Sequence, residues 1–360
     1  MKNLSIYIHI PFCNSKCAYC DFVSFSDSKY LQQTYIGALL NEIEDMARLL
    51  RSARNDGRMK VDTIFIGGGT PSSIYRGALK QIVDCVYDKF EVADNLELTV
   101  EANPESCDEE FIKEFVSVGA NRLSLGLQSS QNNILKNIRK HTFVDFLKAV
   151  AIARKHKITN INADIMLGLP GQSIQDAINT IDELIKLDIP HISMYGLKIE
   201  EGTPLYSYGY ETDEDYTSQM YKSAYERLKV SGYHRYEVSN FAKKGYECAH
   251  NKKYWNIDEY LGLGLAASSL INGTRKTNTA NLTDYTNGNF NPVIEKSDFQ
   301  AEKIMLGLRT SEGVELKYID QTNKKLLTFI DNGMAFVEND RLKIADDYFY
   351  VMNSIILELI

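Results

Sequence analysis

A single tryptophan, seven prolines and 22 glycines in 360 residues are too few for a collagen-like or Pro/Gly-rich disordered chain. Long apolar runs are missing as well. The longest, residues 260–271, is broken by glycine and serine and falls short of the ~20 residues that cross a bilayer, so no transmembrane segment is expected. After Met1-Lys2-Asn3 the chain enters a β-like stretch ending at Pro11, without the unbroken apolar core and small-residue cleavage site of a signal peptide. The expected compartment is therefore the cytoplasm. Positive charge is in deficit, 40 basic against 48 acidic residues for a net charge of −8, which disfavours nucleic acid and anionic membrane surfaces as partners. Six cysteines in a chain of this length cannot form the disulfide framework of a small secreted protein. No internal repeat of roughly 20 to 50 residues is visible, which excludes solenoids and propellers. What remains, 44% hydrophobic and 24% charged side chains, describes a soluble globular chain long enough for one large domain or two ordinary ones.

Strand-like and helix-like windows alternate over the first two-thirds of the chain. Short β-branched or apolar stretches closed by Gly, Pro or Asn fall at 5–10, 63–66, 97–101, 122–126, 160–167 and 193–197. Between them, 30–54, 73–90, 108–118, 143–156 and 173–187 carry apolar residues at three- and four-residue spacing, the mark of amphipathic helices. Such a series implies parallel strands with right-handed crossovers: an α/β fold, a partial or open (βα)6 barrel of the TIM type. The alternation stops near Gly232. Residues 1–232 are therefore read as the barrel and 233–360 as a further region ending in a smaller α+β and helical domain, with Asp331-Asn332-Gly333 as a turn.

Period-two splitting of the strands separates Ile6, Ile8 and Ile10 from Tyr7 and His9. It also separates Leu96, Leu98 and Val100 from Glu97, Thr99 and Glu101, and Ile161, Ala163 and Ile165 from Asn160, Asn162 and Asp164. A filled barrel core favours branched apolar residues, so polar faces repeated on three strands point to a lumen that holds a polar ligand rather than to solvent-facing strands.

Three of the cysteines, Cys13, Cys17 and Cys20, crowd into eight residues directly after a strand and a proline. Three soft ligands in one loop favour an iron–sulfur cluster or zinc, and structural zinc normally takes four ligands in paired units, for which no second pair is nearby. Cys85, Cys107 and Cys248 are scattered and read as buried small hydrophobes. The stretch Tyr7-Ile-His9-Ile-Pro11-Phe12-Cys13-x3-Cys17-x-Tyr19-Cys20-Asp21-Phe22 resembles the signature of radical S-adenosylmethionine proteins, specifically the branch that holds the oxygen-independent coproporphyrinogen III oxidases. The resemblance implies that the three cysteines hold three irons of a [4Fe–4S] cluster. The fourth iron then takes S-adenosylmethionine, whose reductive cleavage gives methionine and a 5′-deoxyadenosyl radical.

The same resemblance extends to cofactor-binding residues, Tyr7 in the signature among them. Ile66-Gly67-Gly68-Gly69-Thr70-Pro71 ends the second strand, lacks the Gly-Lys-Ser/Thr of a phosphate loop, and is similar to the family's S-adenosylmethionine loop, implicating Gly68, Gly69 and Thr70. Glu101, in Val100-Glu101-Ala102-Asn103-Pro104, puts a carboxylate at a strand's carboxyl end, where ligands of βα barrels collect. By resemblance Gln128 and Asp164 follow, the latter suited to ribose hydroxyls. Arg139 matches only if about one residue is deleted from the family spacing, and otherwise reads as a solvated helix-end arginine.

Two features separate sub-branches. Phe22 stands where the oxidases carry a fourth cysteine, and only twelve residues precede Cys13, where oxidases have a longer extension. Further on, Cys248-Ala-His250-Asn251-Lys-Lys-Tyr254-Trp255 resembles the H-N-x-x-Y-W signature of HemW-type haem chaperones, which the oxidases lack. It implies haem as a ligand, His250 as its axial residue and a haem-accepting client protein as partner; Tyr254 and Trp255 offer flat faces to a porphyrin. The remaining histidines, His141, His156, His191 and His234, form no cluster in sequence, and His9 is assigned a structural or substrate-edge role. The expected function is that of a haem chaperone on a radical S-adenosylmethionine fold, with oxidative decarboxylation of coproporphyrinogen III as the alternative.

Overall fold

The computed structural model describes residues 3–52, 59–296 and 298–360. Its first part runs β1 (Asn3–Ile10), α1 (Gln32–Ser52), β2 (Lys60–Gly68), α2 (Ala78–Lys89), β3 (Glu91–Ala102) and α3 (Glu109–Ser117). It continues through β4 (Arg122–Gln128), α4 (Asn132–Ile138), α5 (Phe143–Lys155), β5 (Ile161–Leu167), α6 (Ile174–Lys186) and β6 (His191–Gly196). Strands β1 to β6 pair in chain order, each pair parallel, which a hairpin cannot connect and a crossover helix can. The apolar strand faces, Ile6, Ile8, Ile10, Ile64, Ile66, Leu98 and Val100 among them, are fully buried in one core with Tyr35, Ile36, Leu39 and Ile43 of α1 and the matching faces of the other helices. Burying each such side chain contributes about 1.5–3 kcal/mol. Helices α5 and α6 each start in a capping box, Thr142 with Asp145 and Ser173 with Asp176, which fixes where the chain turns back after its strand.

Several boundaries differ from the sequence reading for local reasons. Strands β2 and β3 are longer than expected. The helix window at 30–54 opens with a short 3-10 turn at Lys29–Leu31, and its positions 53 and 54 lie outside the described residues, as do Met1 and Lys2. The window at 73–90 becomes helical only from Ala78, because a 3-10 turn at Pro71–Ser73 and the left-handed Gly77 (φ 89°) precede it.

The remaining elements are α7 (Pro204–Ser207), α8 (Glu214–Val230), β7 (His234–Arg235), β8 (Asn240–Ala242), α9 (Ala249–Asn256), β9 (Tyr260–Leu263), β10 (Ser268–Ile271), β11 (Thr274–Thr277), α10 (Leu282–Thr286) and β12 (Val293–Lys296). The sheet crosses residue 232: twelve strands follow the open order β12-β11-β10-β9-β1-β2-β3-β4-β5-β6-β8-β7. The free edge of β1 recruits β9 in parallel, and the far edge of β6 recruits β8 antiparallel. Edge pairing of this kind leaves no period in the local sequence. The last part, α11 (Phe299–Gly307), β13 (Val314–Glu315), α12 (Lys324–Asp331), β14 (Ala335–Glu338), β15 (Arg341–Ile344) and α13 (Met352–Leu357), forms a three-stranded antiparallel sheet with helices. It has its own core, from Ile304 to Leu359. The architecture is thus a partial barrel with a smaller α+β unit at its C-terminal end. Among the described residues no helix is long and apolar enough to cross a membrane.

Candidate functional site

The polar strand faces are buried in part: Thr99 is 0% and Asn162 3% exposed, while Tyr7, Glu97, Glu101, Asn160 and Asp164 are half-buried. Asn162 donates to Ser124 Oγ and Asp164 Oδ1, both at 2.8 Å, and its carbonyl meets His191 Nδ1 at 2.6 Å. His191 Nε2 lies 2.8 Å from the Tyr236 hydroxyl, so a connected polar layer spans β4, β5 and β6.

At the carboxyl ends of these strands the expected residues converge. The loop after β1 places Cys13 beneath the second strand's glycine turn, where Thr70 Oγ1 donates to Cys13 Sγ at 3.4 Å. Gly69 N–H and Thr70 N–H donate to the Ile10 and Phe12 carbonyls, both at 2.8 Å. A side chain at Gly69 would put its Cβ 2.7 Å from the Ile10 oxygen, and Gly68 adopts φ +106° against the His9 ring; both positions require glycine. The Gly68 N–H donates to Glu101 Oε2 at 3.0 Å. Burial, then the neighbouring Asp164, push the Glu101 carboxyl up to about 7 against the pull of Gly68 N–H and Arg139. Asp164 is also raised, chiefly by burial.

Arg139 is no solvated helix-end residue. It caps α4, and its guanidinium turns inward, donating from Nε to the Tyr19 hydroxyl at 2.9 Å and from Nη1 to Asn103 Oδ1 at 2.6 Å. Gln128 sits at φ 69°, where the β4–β5 register shifts. With the amide turned as its neighbours require, its oxygen accepts from Arg139 Nη2 at 2.7 Å and from Tyr19 at 3.0 Å, and its nitrogen donates to the Asp164 carbonyl at 3.1 Å. Tyr19 and Asn103 were thus missed as parts of this network, although both stand inside the motifs quoted above; Asn103 also donates to Thr70 Oγ1 at 3.0 Å. Tyr7 donates to His9 Nδ1 at 3.0 Å, because His9 Nε2 is committed to the Val23 carbonyl at 2.9 Å.

The donor set fits a soft metal centre: three thiols in one loop, with the Cys17 thiol raised by burial and lowered in opposition by Arg139. They are not gathered as a ready-made site, since among the described residues no group of three His, Cys, Asp or Glu side chains stands so placed. The fit to S-adenosylmethionine is carried by Glu101, a half-buried carboxyl with no ion-pair partner among the described residues, lining a cavity of about 470 Å³ with Tyr7, His9, Gly68, Tyr254 and Tyr260. An ammonium group would relieve its burial. A further cavity, about 830 Å³, lies beyond this cluster, where β6 and α8 meet Phe349 and Tyr350.

The motif at 248–255 lies on α9, whose N-terminus is anchored across the barrel by Glu97 of β3. Ala249 N–H and His250 N–H both donate to that carboxylate at 3.0 Å, and Cys248 Sγ lies 3.4 Å from it. Sequence reasoning treated Glu97 only as one of a lumenal row. His250 is 1% exposed, its Nδ1 2.8 Å from Thr63 Oγ1 and its Nε2 2.9 Å from the Tyr254 hydroxyl. Burial lowers the imidazole to about 3, so it is neutral. Both of its ring nitrogens are thus held by protein groups. Tyr254 and Trp255 instead face a second cavity, about 360 Å³, with Tyr195, Glu237, Tyr260 and Arg275.

A parallel partial barrel with a three-cysteine loop between its first strand and first helix defines a radical S-adenosylmethionine protein, and the Radical SAM superfamily model matches residues 7–184. Over 342 residues the chain is 33% identical to the heme chaperone HemW of Buchnera aphidicola subsp. Acyrthosiphon pisum, covering 92% of this chain and 89% of that one. Over 329 residues it is 33% identical to the heme chaperone HemW of Bacillus subtilis, covering 87% and 85%. The chain belongs to the HemW family within the radical SAM superfamily. Its fold is also that of the coproporphyrinogen III oxidase HemN from Escherichia coli, with a TM-score of 0.86 over 99% of this chain and 90% of that one, at 19% identity.

Proposed function

We propose that this chain is a cytoplasmic haem chaperone built on the radical S-adenosylmethionine fold, which holds haem, a [4Fe–4S] cluster and S-adenosylmethionine and passes the haem to an acceptor protein. The observation that carries this reading is the position of the 248–255 motif: Tyr254 lines both the cavity of Glu101 and Gly68 and the cavity of Trp255. A porphyrin-binding motif and an S-adenosylmethionine pocket thereby become neighbours.

In this reading residues 1–232 carry the cluster and S-adenosylmethionine, and 233–360 bring the haem motif. Cys13, Cys17 and Cys20 are the thiols that hold the cluster. When bound, the cluster and S-adenosylmethionine supply one-electron chemistry. Around them Glu101 takes the ammonium group while Gly68, Gly69 and Thr70 shape the backbone against it. Asp164 accepts from ribose hydroxyls, Arg139 and Gln128 neutralise and orient the buried acids, and Tyr7 closes the pocket beside His9. His250 is the neutral nitrogen donor for iron, with Tyr254 and Trp255 against the macrocycle.

An anaerobic haem titration of wild-type protein and His250→Ala at matched iron–sulfur content, followed at the Soret band, tests the reading. Saturable binding that weakens about tenfold or more in the variant is expected. No saturable binding by wild type with its cluster intact would overturn the chaperone assignment.

A further inference from the structure

Tyr254 takes part in two environments at once. Its hydroxyl holds His250 Nε2 at 2.9 Å, and its ring stands edge-on to the imidazole with centroids 5.1 Å apart. The same side chain forms part of the wall of the 470 Å³ cavity that contains Tyr7, Gly68 and Glu101, and of the 360 Å³ cavity that contains Trp255. On its other side it meets the Tyr260 ring edge-on at 4.7 Å, and Tyr260 also lines both cavities.

An imidazole with both nitrogens engaged inside the protein offers no free lone pair to a metal. Of the two groups that engage His250, Thr63 lies within β2 and lines neither cavity, whereas Tyr254 lines both. Only the Tyr254 bond is within reach of a molecule entering the Glu101 cavity. We propose that Tyr254 is a latch between the two sites: with the imidazole proton on Nδ1 toward Thr63 and the phenol donating to Nε2, a ligand filling the Glu101 cavity turns the phenol from His250 and frees the Nε2 lone pair for haem iron. The inference rests on the placement of S-adenosylmethionine and haem proposed above. By linkage the coupling is reciprocal, so haem tightens S-adenosylmethionine binding by the same factor. One neutral hydrogen bond sets the scale, roughly three- to tenfold.

The test uses wild type, Tyr254→Phe and Thr63→Val, each reconstituted anaerobically with its cluster oxidised and its histidines labelled with 15N. Haem affinity is read at the Soret band with and without S-adenosylmethionine, and the His250 ring nitrogens are followed by NMR before haem is added. Wild type should gain about three- to tenfold in haem affinity when S-adenosylmethionine is present. Tyr254→Phe should show that gain without it and respond no further, and Thr63→Val should keep the wild-type response. S-Adenosylmethionine should also move the wild-type Nε2 resonance toward its position in Tyr254→Phe. An Nε2 resonance that stays fixed at saturating S-adenosylmethionine overturns the latch even where haem binds. A Thr63→Val protein that binds haem without S-adenosylmethionine as tightly as Tyr254→Phe does overturns it too, because general loosening of His250 would then suffice. If S-adenosylmethionine moves Nε2 but no protein binds haem saturably, the latch stands and the haem assignment falls.

Discussion

Glu101 is subject to opposed influences whose balance falls near neutral pH. Burial and Asp164 favour its neutral form, Gly68 N–H and Arg139 its ionised form, and the carboxyl rests at about 7. A cationic ligand binds the ionised form, so S-adenosylmethionine affinity should rise with pH through about 7 and level off above it. The ligand-free protein should do the opposite. A folded-state value raised above the ordinary 4.5 means that the stabilising contribution is fully present below that value and is lost as pH rises through about 7. Glu237, also raised to about 7 by burial, acts in the same direction. Calorimetry should find Glu101→Gln weaker in S-adenosylmethionine binding by about 1–3 kcal/mol, with a flattened pH profile. Thermal unfolding of the ligand-free variant should lose part of the wild-type decline between pH 5 and 8. Equal affinity in the variant would remove the carboxyl from the ligand's contacts.

At the scale of elements, the N-terminus of α9 is tied to β3 by one side chain. Two backbone N–H groups of its first turn share the Glu97 carboxylate, and Glu97 lies four residues from Glu101 on the same face of β3. Replacing the carboxylate by an amide leaves one acceptor and no charge to complement the helix N-terminus. Glu97→Gln should therefore lower stability by about 1–2 kcal/mol in urea unfolding. It should also weaken haem binding by a factor that the His250→Ala variant does not add to, since both act through the same helix. A urea midpoint equal to wild type would show that the Glu97 carboxylate does not stabilise α9. The β4 end is a second case: its register shift and the positive φ of Gln128 aim that amide at Arg139 and the Asp164 carbonyl, which a regular strand would not do.

At the scale of the whole molecule, the core of the sheet and the core of the C-terminal unit meet across a polar and aromatic seam. Arg235 of β7 donates to Asp346 at 2.7 Å and lies over the Phe349 ring at 3.5 Å, joining the sheet to the C-terminal unit. This overall form is shared with an oxidase, so fold alone does not separate carrier from enzyme. On the reading proposed above, the distinction rests on chemistry at named positions: Phe22, 63% exposed beside the cysteine loop, and the α9 motif. Coproporphyrinogen III offered to the reduced, reconstituted protein should be recovered unconverted by porphyrin chromatography. Steady formation of protoporphyrinogen IX would reverse the assignment.

The cysteine loop, the order of the strands and helices, and the positions of Glu101 at the end of β3 and Asp164 within β5 were legible in the sequence. Ligand spacing and the two- and four-residue periods of strands and helices are local properties, written within a few residues of one another. Arg139 was not legible, because its inward turn depends on Tyr19 and Asn103, 120 and 36 residues away. Nor was the closure of His250 between Thr63, 187 residues distant, and Tyr254, nor the sheet's growth past residue 232 onto β1. A sequence names which groups can donate, accept or pair, but long-range strand pairing and burial decide which of them meet. In this protein those tertiary contacts set the His250 ring between Thr63 and Tyr254, with both of its nitrogens held.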